Sequence, residues 1–91
     1  MIRVDMQATG ENIKARCVKE GVTPEYISRY LNLDLSTPYY WFQGKVLPKI
    51  PIAFNLAEML NCSLEDLFVV EDDEEGEFED VEDGRTDEGN Q

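Results

Sequence analysis

The sequence predicts an all-α protein: one compact five-helix bundle followed by a disordered acidic C-terminal tail. Three observations carry that expectation. Apolar residues within 9–70 recur at helical spacing, and no stretch alternates as a half-buried strand would. Cap residues and left-handed turn residues punctuate the same stretch at short intervals. Charge is partitioned by position: residues 71–91 hold twelve acids and one base, a net −11, whereas residues 1–70 hold eight acids and seven bases, a net −1. The chain's net charge of −12 therefore describes the tail and says little about the folded part.

Taken in order, residues 1–8 read as an N-terminal arm, 9–70 as the helical domain and 71–91 as the tail. Thr9 is placed to cap the first helix, with Glu11 in its first turn, Ile13 and Cys17 on its buried face and Gly21 as its left-handed stop. Thr23 and Pro24 then suit the N-cap and first position of a second helix, whose apolar face is Tyr26, Ile27, Tyr30 and Leu31. Asn32 can supply the left-handed turn, and Asp34 can cap a third helix over 35–43 that Gly44 ends. Pro38 is tolerable there because first-turn amides have no intrahelical partner. Within the aromatic run 39–42, Trp41 is expected in the core and Tyr39 and Tyr40 outside. Pro48 and Pro51 bracket the start of a fourth helix carrying Ile52, Leu56, Met59 and Leu60; Asn61 stops it, and Ser63 with Asp66 opens a short fifth helix bearing Leu67 and Phe68.

Composition excludes most chemistry. The chain has no histidine, no Gly-rich phosphate loop, and two cysteines, Cys17 and Cys62, too far apart to match a metal or redox spacing, so neither catalysis nor a cofactor is expected. Both cysteines read as reduced and buried. No apolar run approaches the roughly 20 residues of a membrane span, and the charged N-terminus does not look like a signal peptide, so a cytoplasmic protein without membrane contact is expected. The tail has only Phe78 and Val81 as large apolar residues and cannot offset its ordering entropy by burial; it either solvates the chain, competes with phosphate or offers those two residues to a protein partner.

The second and third helices have the spacing of a helix-turn-helix. The segments GENIKARC, EGVTPEYISRYLNLDLS, YYWFQGKVLPKI and FNLAEMLNCSLEDLF resemble the Cro/C1 repressor (XRE-type) family of regulators, and ATGENIK and YYWFQGKVLP particularly those of low-GC Gram-positive bacteria and their mobile elements. The resemblance covers residues 10–68 and implies a lambda-repressor-like bundle that binds double-stranded DNA as a homodimer and represses transcription. It places Leu35, Ser36 and Tyr40 toward base edges, and assigns phosphate contacts to Thr23, Gln43, Gly44, Lys45 and Lys49. None of the three base-facing residues is a bidentate Arg, Asn or Gln, so selectivity is expected to be modest or to depend on DNA shape. Relatives carry an ion pair at the positions of Cys17 and Phe42, which implies that these two are apolar neighbours here; where this chain has Pro38, relatives carry a buried aliphatic residue. The alternative on the same scaffold is a protein-interaction module: an antirepressor, an antitoxin-like partner or a DNA mimic using the third helix or the acidic tail.

Overall fold

The computed structural model describes residues 1–72. The acidic tail over 73–91 lies outside the described residues. Five helices follow one another, α1 (Met6–Glu20), α2 (Pro24–Leu31), α3 (Ser36–Phe42), α4 (Ile50–Met59) and α5 (Leu64–Leu67), framed by the strands β1 (Ile2–Val4) and β2 (Val70–Asp72).

The two strands depart from the all-helical expectation. They pair antiparallel, Ile2 with Asp72, Arg3 with Glu71 and Val4 with Val70, and the Asp5 amide extends the ladder to the Val69 carbonyl at 2.8 Å. Residues expected in the arm and at the start of the tail thus close the two ends of the domain on each other. Strands of three residues are too short for alternation to register, and their partners are far apart in sequence. The accompanying ion pairs, Arg3 with Glu71 at 3.4 Å and the N-terminus with Asp72 at 3.3 Å, are solvent-exposed and contribute little.

The first helix starts four residues earlier than expected. Asp5, not Thr9, is its N-cap, and the Asp5 carboxylate accepts from the Ala8 amide at 3.0 Å. Glu11 is consequently outside the first turn. Thr9 is fully buried instead, where its hydroxyl accepts from the Val69 amide at 2.8 Å and donates to the Val69 carbonyl at 3.4 Å. This side chain ties α1 to the chain leaving α5. Thr9→Val keeps the shape and strands the Val69 N–H, so a loss of about 1–3 kcal/mol in urea unfolding is expected.

The turn signals act as predicted. Gly21 (φ 71°), Asn32 (φ 57°), Gly44 (φ 75°) and Asn61 (φ 57°) all adopt the left-handed conformation that ends a helix. Thr23 caps α2 through the Tyr26 amide at 3.1 Å, with Pro24 next in line. Asp34 does not cap α3: Leu35 holds that position without a side-chain bond, and only the Asp34 carbonyl contributes, accepting from the Thr37 amide at 3.0 Å. Pro38 then falls in the first turn, where no N–H is required. It is fully buried and fills apolar space without breaking α3.

The core consists of Ile13 and Cys17 from α1, Ile27 from α2, Trp41 from α3, Leu56 and Leu60 along the α4 stripe and Leu67 from α5. Ile52 and Met59 flank that stripe half-buried, while Ala53 and Ala57 let α4 approach closely. On α2 only Ile27 and Leu31 of the expected apolar face turn inward. Tyr26 and Tyr30 are exposed and stack on each other, centroids 5.8 Å apart. Cys17 is buried, and that burial pushes its thiol up to about 11; Cys62 is only half-buried, contrary to expectation, and both are free.

At α5 the capping box closes in both directions. Ser63 Oγ accepts from the Asp66 amide and Asp66 Oδ2 accepts from the Ser63 amide, each at 3.1 Å. Hydrogen bonding to the carboxyl by Ser63, from its backbone amide first and its side chain second, holds Asp66 below its ordinary value. A lowered folded pKa stabilises the fold above the unfolded pKa, and that contribution disappears as pH falls through the folded value. Asp66→Asn should therefore flatten the acid limb of the stability profile below the usual carboxylate range, read by thermal melts from neutral to acidic pH.

Candidate nucleic-acid interface

Position on α3 follows from which of its residues are drawn inward. Pro38 and Trp41 are buried, so the outer surface is left to Leu35, Tyr39 and Tyr40, which are 46, 42 and 44 % exposed. Ser36 is half-buried at the first helical position, one turn before Tyr40. The three residues expected to face bases thus share the open side of α3. The side chains offer one hydroxyl from Ser36, one phenol from Tyr40 and one apolar surface from Leu35.

Glycines set the distance between α3 and the helix behind it. Gly10 of α1 lies directly against α3: a Cβ there would overlap the Trp41 carbonyl oxygen and stand 2.7 Å from that of Phe42. Just past this same C-terminal end of α3, Gly44 is left-handed and has room for no side chain, since a Cβ would come within 2.9 Å of Gln7 Cα. The turn it makes is closed by the Lys45 amide donating to the Tyr40 carbonyl at 3.0 Å. Lys45 Nζ consequently sits 5.8 Å from the centre of the Tyr40 ring, a cation–π approach on the exposed side. Lys49 follows as the exposed N-cap of α4. Neither lysine takes part in an ion pair among the described residues.

The remaining expected phosphate contacts meet on another flank. Thr23 at the start of α2 and Gln43 at the end of α3 are exposed and border the same cleft, which Tyr39 also lines. The Thr23 hydroxyl oxygen already caps α2, which leaves its O–H to donate outward. Pro24 removes one amide from this helix start, and Glu25 adds a carboxylate to the first turn, so this anchor is weaker than the lysine pair. Tyr39 was not singled out as a site residue by the sequence. Its signal was the run of four aromatics, in which edge-to-face packing on Phe42 at 6.0 Å now fixes its direction. Cys17 and Phe42 line this same cleft, and Phe42 packs on the cluster to which Cys17 belongs.

Among the described residues no group of His, Cys, Asp and Glu is assembled to hold a metal, and no helix is long and apolar enough to cross a membrane. No family model and no solved structure matches the chain. A curated relative does: an uncharacterised HTH-type transcriptional regulator of Archaeoglobus fulgidus is 30% identical over 56 residues, which is 62% of this chain and 80% of the relative. With that relationship and a turn of the right length between α2 and α3, this chain belongs to the helix-turn-helix transcriptional regulators.

Proposed function

We propose that the chain is a Cro/C1-type repressor that binds double-stranded DNA in the cytoplasm with α3 in the major groove. The observation that carries this reading is the outer side of α3, where Leu35 and Tyr40 are exposed, Ser36 is half-buried and Lys45 approaches the Tyr40 ring. Leu35 packs on a thymine methyl, Ser36 and Tyr40 bond to base edges, and Thr23, Gln43, the Gly44 backbone, Lys45 and Lys49 hold phosphates. With about 3–4 charge contacts, the slope of log affinity against log salt is roughly −3 to −4 per domain. One domain alone binds weakly, and a homodimer on two half-sites makes up the difference. An apolar strip on α4, Ile50 and Phe54 at one-turn spacing and more than half exposed, favours a second copy there.

Residues 73–91 carry ten acids and one base, a net −9 that favours a role for them in cis. A salt titration on random duplex DNA tests both parts, using full-length protein and a form ending at Asp72, which keeps β2 whole. The shortened form is expected to bind more tightly and with a steeper salt slope. No affinity in either form at about 50 mM salt, where phosphate contacts count most, would shift the assignment to the protein-interaction reading.

A further inference from the structure

A second site lies beside the DNA-facing side. Between the C-terminal half of α1, the start of α2 and the end of α3 opens a cleft of about 430 Å³. Its walls are Cys17, Val18, Val22, Pro24, Tyr39 and Phe42. The Cys17 thiol in its lining is buried, and burial raises it to about 11. Besides the Tyr39 phenol and the Cys17 thiol, the polar side chains that line the cleft belong to Lys14, Thr23 and Gln43. Lys14 is exposed and enters no ion pair among the described residues, and no carboxylate borders the cleft. An apolar hollow of this size with a few convergent polar groups at one edge is the usual form of a small-molecule site.

We propose that this cleft binds a small aromatic carboxylate, its ring between Tyr39 and Phe42 and the valines and its anion at Lys14, and that the bound molecule lowers DNA affinity. The volume suits one or two fused rings. The single cation at the rim and the absence of acids select an anionic over a neutral or cationic head. The regulatory half rests on the DNA-binding reading above: Thr23 and Gln43 are shared, so a ligand anion at the rim displaces the phosphate they would hold.

The test uses 2-naphthoate and its neutral analogue 2-naphthamide, with calorimetry on full-length protein in the absence of DNA. A ligand of about 13 non-hydrogen atoms at ordinary efficiency reaches a Kd near ~1 mM. Naphthoate is expected to saturate one site at or below that level, with naphthamide several-fold weaker. Lys14→Gln should equalise the two, and Val18→Trp, at a rim position that is 74 % exposed and tolerant of a larger side chain, should fill the cleft and abolish both. Unchanged thermal melts of both variants establish that they fold. No saturation up to roughly 10 mM, or binding that survives Val18→Trp, overturns the site.

Fluorescence anisotropy on a labelled duplex then reads the coupling. Saturating naphthoate is expected to weaken DNA binding of the wild type several-fold and to leave Val18→Trp unaffected. Calorimetric binding with unchanged DNA affinity overturns the regulatory half while the site stands. Absence of DNA binding before any ligand is added condemns the DNA reading, and with it the regulatory half, and the calorimetry still decides the site.

Discussion

Gly10→Ala is expected to destabilise the domain by about 2 kcal/mol or more and to lower its melting temperature by roughly 10 °C or more. Alanine is the better helix former by about 1 kcal/mol, so on an open helix the change would stabilise. Here the new methyl meets backbone: the carbonyls of Trp41 and Phe42 and, at 3.0 Å, the Gly44 amide nitrogen. No rotamer change relieves a clash with main-chain atoms, so α1 and α3 must separate along their closest approach, and the overlap outweighs the propensity. The same displacement moves the surface that carries Leu35, Ser36 and Tyr40. Gly21→Ala is the informative control. Gly21, unlike the helical Gly10, is left-handed, and nothing lies within 4 Å of its Cβ position. Only the conformational strain of about 1 kcal/mol applies there. Thermal or urea unfolding separates the two, with Gly10→Ala clearly the worse.

Replacing Lys45 and Lys49 together by alanine is expected to leave the fold intact and to weaken binding to duplex DNA roughly 50-fold at about 0.1 M salt. Each phosphate contact contributes about 0.9 to the salt slope and therefore nearly tenfold at that concentration. Both side chains are exposed and outside the core, so stability should change by no more than about 0.5 kcal/mol. The decisive sign is a slope reduced by roughly 2, to about −1 to −2, equally on random and on preferred sequences. Tyr40→Phe separates base reading from charge: it keeps the ring under Lys45 and removes only the hydroxyl, so any preferred sequence should lose its advantage while the slope is kept.

Much of this fold was legible because its signals are local. Gly21, Asn32, Asn61 and Ser63 each act within one turn of themselves, and each does what its side chain or missing side chain dictates. What was not legible depends on distant partners. Thr9 and Asp5 are equally good cap residues in sequence. Only the Val69 backbone, brought alongside α1 by the closed sheet, gives Thr9 a buried role and leaves the cap to Asp5. The strands escaped notice for the same reason. On α2, Tyr26 and Tyr30 share helical spacing with Ile27 and Leu31, which makes an apolar arc wider than the core can use; the aromatic pair is left outside, stacked on itself. The proposed contact positions come from the motif, because a helix-turn-helix fixes them by count along the chain. The cleft beside them could not be read from the sequence, because its walls come from three helices and exist only once these are packed.

Amide NMR shifts during titration with a short duplex report directly which residues meet DNA. The largest perturbations are expected over residues 35–40, with a second group at Thr23, Gln43, Gly44 and Lys45 and little change at the stacked Tyr26 and Tyr30. Perturbations centred on α4 and α5 or on the Tyr26–Tyr30 pair, with α3 silent, would contradict the DNA-facing role of α3.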